Sequence, residues 1–193
     1  MPASRFLAAI LCFGAVDCLA EPQPLEIEIA TDGWGGGSTA DIKAVIRSAA
    51  REIWRHCGET KLDRIYVHHR DDHPQMNWER DDDGRIVIGL ATSDRFWAQY
   101  SFQFAHEFAH ALATHANDWE KTWRESGKPN HWLEESLCET ASLFALRAMG
   151  RTWVASPPYP NWRDFAPALT RYAQERLDHP QHRLPAGKSF EEW

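Results

Sequence analysis

An aromatic residue stands at every fourth position from Phe96 to Phe108: Phe96, Tyr100, Phe104 and Phe108. Positions four apart share one face of an α-helix, so the spacing predicts a long helix with a bulky apolar stripe that must be buried. Ser93 or Asp94 stands where such a helix wants an N-cap. The helix needs partners for its stripe, and the chain offers two sorts. Upstream, Leu25–Ile29, Arg64–His68 and Arg85–Leu90 have the alternation or β-branched content of strands, with Asn77–Glu79 as a hairpin partner for the last. Ser38 opens a helix between the first two, with apolar residues at Ile42, Val45, Ile46, Ala49 and Ile53 and an end at Gly58. Downstream only helical spacing occurs, over His131–Met149 up to Gly150 and over Trp162–Leu177. Strands with one helix, followed by a helical half, predict an α+β domain.

A length of 193 residues fits a single domain. The net charge of −7 leaves no basic excess to neutralise phosphates, which argues against nucleic acid and against an anionic membrane surface. Residues 1–20 have the layout of a secretory signal peptide: a short segment with Arg5, the apolar run Phe6–Val16, and small residues up to Ala20. That run is too short to span a bilayer, so residues 21–193 are expected as one exported domain without stable membrane insertion. Cys57 and Cys138 remain in that segment, and a single disulfide and two buried thiols are equally compatible with it. Gly33–Gly37 lacks the spacing of a phosphate-binding loop and suggests a flexible one. The ten Trp suggest core or cleft wall.

The chemistry lies on the other face of the aromatic helix. His106-Glu107-Phe108-Ala109-His110 is an HExxH sequence. Two imidazoles four residues apart can present a nitrogen each to one metal ion, and Glu107 stands where a carboxylate can take a proton from water. A catalytic zinc site wants a third protein ligand, and the next helix supplies Glu134, Glu135 and Glu139.

HExxH followed by Trp132-Leu133-Glu134-Glu135-Ser136-Leu137-Cys138 resembles the gluzincin metallopeptidases, thermolysin-like and aminopeptidase-N-like. The resemblance implies a zincin-like fold, Zn2+ held by His106, His110 and Glu135, and catalysis by Glu107. It also implies that Glu139, one turn after the ligand, orients a zinc-bound histidine. Glu134 points about 100° away from Glu135 on a helix and is expected in solvent. The chain departs from the family in three ways. Between His110 and Glu135 lie 24 residues, a long gap. The Gly-x-Met-Glu-Asn motif of aminopeptidases is missing, and so is a counterpart of the histidine that steadies the transition state. His131, Tyr159 and Tyr172 are the candidates for that last role. Metzincins are excluded, since no HExxHxxGxxH follows. His68, His69 and His73 beside Asp71 and Asp72 suggest a polar turn more than a second metal site. In zincins the edge strand just before the active helix pairs with an extended peptide, and the resemblance implies that role for Arg85–Leu90.

The expectation is therefore an exported, zinc-dependent, gluzincin-like peptidase acting on a peptide or protein substrate. The alternative is a catalytically inactive zincin-like protein that binds a metal or a partner.

Overall fold

The computed structural model describes residues 24–58, 60–115, 131–180 and 187–189. The candidate signal segment, residues 1–20, lies outside them. The described residues form an α+β fold with a small mixed four-stranded sheet and four α-helices. In chain order these are β1 (Ile27–Ile29), α1 (Thr39–Trp54), β2 (Ile65–His69), β3 (Gln75–Met76), β4 (Ile86–Leu90), α2 (Trp97–His115), α3 (His131–Ala155), a 3-10 turn (Pro160–Phe165) and α4 (Ala166–Asp178). Among the described residues, no helix is long and apolar enough to cross a membrane.

The sheet order is β1-β2-β4-β3. β1, β2 and β4 are parallel, and β3 runs antiparallel to β4, with Met76 opposite Ile88 and Gln75 opposite Gly89. β4 is thus an inner strand along β2, and the edge nearest α2 is the two-residue β3. This corrects both the expected edge and the expected hairpin partner, although the Asn77 N–H still donates to the Val87 carbonyl at 2.9 Å. α1 packs on β1, and α2 packs on β4 and β3. α3 crosses α1 and α2, and α4 lies against α3.

Local chemistry explains most boundaries. Ser38 caps α1, its Oγ accepting from the Asp41 N–H at 3.1 Å. Tyr100, Phe104 and Phe108 of α2 are fully buried, as their spacing requires. Phe96 is not part of that stripe; it precedes the helix and is 54% exposed. Asp94 does not serve as an N-cap either. Its backbone sits at φ 55°, its N–H donates to the Trp34 carbonyl at 2.9 Å, and its Oδ1 accepts from the Gly36 N–H at 2.7 Å. The Gly33–Gly37 stretch is therefore pinned against the α2 entry and is not a loose loop. Gly150 lies inside α3 instead of ending it, and a Cβ there would clash with Thr170 Oγ1 of α4. The glycine serves close helix packing.

Trp34, Trp54, Trp97 and Trp153 are in the core, while Trp78 lines a cleft and Trp132 is exposed. Cys57 and Cys138 are both free thiols.

Candidate metal centre

Two helices build the site. α2 carries His106, Glu107 and His110 on the face away from its aromatic stripe, and α3 brings its first turns across them. The two helices run antiparallel here, because Glu134 meets His110 while Glu139 meets His106. The stripe holds α2 in the core, so the histidines are only 19% and 10% exposed.

Three donor groups converge. His106 Nε2 lies 3.2 Å from His110 Nε2 and 3.2 Å from Glu135 Oε2, and Glu135 Oε1 lies 3.4 Å from His110 Nε2. A tetrahedral zinc ion with bonds of about 2.0–2.1 Å sets its donors about 3.3–3.4 Å apart, so these side chains fit such an ion with little movement. Both histidines offer Nε2, and each has a carboxylate behind it. His110 Nδ1–H donates to Glu134 Oε1 at 2.7 Å. His106 Nδ1 faces Glu139 Oε2 at 3.7 Å, and Glu139 in turn accepts from Arg176 Nη2 at 3.4 Å. Outer carboxylates of this kind fix tautomer and ring orientation. Glu135 thus stands beside both histidines and Glu139 beside His106, while the geometry corrects the expectation of a solvated Glu134. That side chain is 11% exposed and hydrogen-bonded to His110, because histidines one turn apart on α2 present Nδ1 atoms on both flanks of the crossing helix.

Burial and charge oppose each other at these groups. Burial alone would lower His106, but the Glu139, Glu107 and Glu135 carboxylates outweigh it and raise its pKa. Burial raises Glu139 too, yet His106 and Arg176 bring it below its usual value. Glu107 is 6% exposed and is raised by burial, only partly offset by the two histidines and by the Met76 N–H. That N–H, on edge strand β3, donates to Glu107 Oε2 at 2.7 Å and leaves Oε1 available.

A fourth donor lies close by and escaped the sequence reading. The ligand atoms of His106, His110 and Cys138 lie within 4.8 Å of one another, a group that could hold a metal ion. Cys138 comes one turn after Glu135, is buried, and has its thiol pKa raised by burial and then by Glu134, Glu135 and Glu107. The signal was the i, i+3 spacing of Glu135 and Cys138 on one helix face.

His106, Glu107, His110, Glu135 and Glu139 share a cleft of about 590 Å³. Its opposite wall is the edge segment His73–Met76 with Trp78, and Phe102 and Gln103 complete it. Tyr159 is not on that wall; it borders a separate hollow with Trp162. Tyr172 packs edge-on against Phe102, behind the wall. The side chain of His131 lies outside the described residues. No family model, curated protein or solved structure matches this chain.

Proposed function

We propose that the protein is an exported zinc-dependent metallopeptidase with a zincin-like fold, as its resemblance to gluzincins implies. The reading rests above all on the 3.2–3.4 Å convergence of His106, His110 and Glu135 on a cleft wall beside buried Glu107. His106 and His110 through Nε2, and Glu135 through its carboxylate, would hold Zn2+. Bound there, the ion would supply Lewis acidity, polarising a carbonyl and acidifying a water. Glu107 takes a proton from the attacking water at Oε1 and delivers it to the departing amine. The Met76 N–H holds the other oxygen, so the carboxylate is aimed before substrate arrives. Edge strand β3 borders the cleft, where an extended peptide would lie against it, its outward Met76 N–H being already held by Glu107. Trp78 and Phe102 give that peptide an apolar wall.

A second reading is favoured by Cys138. Were its thiolate to join His106, His110 and Glu135, four protein donors would close the site, as in structural zinc centres. The protein would then bind metal without cleaving anything.

Metal content by mass spectrometry decides whether the site exists. The wild-type protein should carry about one zinc per chain, and His106→Ala/His110→Ala none. Glu107→Gln should keep the metal and lose turnover of a peptide library by roughly 10²–10⁴-fold. A folded wild-type protein that takes up no zinc refutes both readings, whereas a zinc protein that cleaves nothing in the library favours the second.

A further inference from the structure

A second hollow, of about 320 Å³, opens where the starts of α1 and α2 meet the 3-10 turn, and it shares no lining residue with the metal-site cleft. Asp41, Arg95 and Asn161 line it together with three aromatic rings, Trp97, Tyr159 and Trp162. We infer that this hollow binds a neutral saccharide. The inference does not depend on the peptidase reading.

Three observations carry it. The rings form one continuous aromatic wall. Trp97 and Trp162 stack with centroids 5.3 Å and planes 26° apart, and Tyr159 meets Trp162 near-perpendicularly at 4.8 Å. Trp97 is buried, whereas Tyr159 is 36% exposed and keeps ring surface open to a ligand. The polar groups are also unspent. Among the described residues, the side chains of Asp41, Arg95 and Asn161 make no hydrogen bond or ion pair, and Asp41 and Arg95 leave each other unpaired although both line one hollow. Together they offer acceptors and donors in a set whose formal charges cancel. A pyranose carries hydroxyls, each both donor and acceptor, around its rim and C–H groups on its faces. The rim matches the three polar side chains and the faces match the aromatic wall. A net anion or cation would be attracted by one of the two charges and repelled by the other. A zwitterion could use both, but Arg95 is exposed, and ion pairs in solvent gain little. The volume lies at the small end of ligand sites and accommodates roughly one or two sugar rings. Finally, the hollow is preformed. The Gly36 N–H donates to Asp94 Oδ1 at 2.7 Å and the Asp94 N–H to the Trp34 carbonyl at 2.9 Å, which ties the α1 entry to the α2 entry and brings Asp41 and Arg95 to one rim. Pro160 keeps Tyr159 in extended backbone, φ −129° and ψ 141°, and the Trp162 N–H donates to the Tyr159 carbonyl at 2.9 Å. A site fixed before its ligand arrives loses less to ordering.

The test uses the full chain and a panel of neutral oligosaccharides: β-1,4-glucan, α-1,4-glucan and β-1,4-linked N-acetylglucosamine. Tryptophan fluorescence and saturation-transfer NMR read the binding. At least one oligosaccharide should bind with a Kd of about 1 mM or tighter. Tyr159→Ala and Asp41→Ala should each weaken it by about 10-fold or more, the first by removing aromatic surface and the second a charged acceptor. Asn161→Ala, at an exposed position, replaces either variant that fails to fold. His106→Ala/His110→Ala should bind the saccharide as the wild type does, which separates this site from the metal centre. A wild type that binds none of the panel at about 10 mM overturns the inference. So does a bound saccharide whose affinity stays within about twofold in the folded variants, since it then sits elsewhere. Binding of free tryptophan, lost in Asp41→Ala, with no saccharide bound would make the hollow an amino-acid site and overturn the inference as well.

Discussion

The protein holds two clusters of histidines and carboxylates whose composition is nearly the same, and of the second only His73 lines the cleft. One is His106, His110, Glu134, Glu135 and Glu139 on α2 and α3; the other is His68, His69, His73, Asp71 and Asp72 on β2 and the loop after it. In the helical cluster both Nε2 atoms point to one spot, 3.2 Å apart. In the strand cluster each ring turns elsewhere. His68 Nδ1 meets the His69 carbonyl at 2.9 Å, His69 Nδ1 lies 3.7 Å from fully exposed Asp71, and His73 turns to Asp72. The cause is the period of the backbone. Residues four apart on a helix share a face, whereas His68 and His69, adjacent on a strand, project to opposite faces. A helix buried by its aromatic stripe also gives its donors a fixed position, which a solvent-exposed loop does not. Metal-binding capacity here follows from geometry and burial more than from residue count.

The strongest challenge to that comparison is to exchange donors within the helical cluster. Glu135→Gln should weaken zinc binding by more than about 100-fold, beyond the range of an outer carboxylate, and Cys138→Ser should leave it within threefold. Titration against a chelator of known affinity measures both. Cobalt loading adds an independent reading: Cys138 ligation would give an intense near-ultraviolet thiolate band that Cys138→Ser removes. A large loss in Cys138→Ser with little change in Glu135→Gln would make His106, His110 and Cys138 the site and favour a structural metal. His68→Ala/His69→Ala should leave one zinc per chain, and a lost equivalent would erase the contrast between the clusters.

The outer carboxylates sharpen the comparison at a smaller scale. Glu134→Gln and Glu139→Gln should each cost about 10–100-fold in zinc affinity. Glu134→Gln should cost more, because its contact to His110 is 2.7 Å against 3.7 Å from Glu139 to His106. Equal and negligible losses would mean that the histidines are positioned by helix packing alone.

How much of this was legible in the sequence follows the same physics. Tyr100, Phe104 and Phe108, the HExxH spacing and the Ser38 cap are short-range patterns, and each stands where its period requires. The α+β division was legible for that reason too. What failed depended on contacts between distant segments. Gly150 carries no local sign that Thr170 will lie against it, and Asp94 offers its carboxylate to Gly36, 58 residues earlier, instead of to its own helix. Glu134 was misjudged because a helical wheel gives its angle to Glu135 but not the width of the neighbour it crosses. The edge role that the resemblance implied for Arg85–Leu90 falls to β3, which is two residues long, too short to leave an alternation.

The smallest effect separates the two clusters by pH. Hydrogen bonds from Arg70 hold the Asp72 carboxyl well below the usual range. Asp81 behaves alike: burial pushes it up, but the Arg85 backbone N–H at 2.9 Å and guanidinium at 2.8 Å outweigh this and lower it. A depressed carboxylate binds fewer protons folded than unfolded. Its contribution to stability is therefore complete above the unfolded value near 3.9 and fades as pH falls below it toward the folded one. Asp72 is half exposed and Asp81 keeps partial contact with solvent, which screens such ion pairs, so the effect is modest. Asp72→Asn and Asp81→Asn should each lower the thermal midpoint slightly at pH 6, by an amount that shrinks as pH is taken below about 4. Zinc affinity should not change in either. If Asp72→Asn instead weakened zinc binding, the strand cluster would be coupled to the helical one, and the two would have to be treated as a single site spanning the cleft.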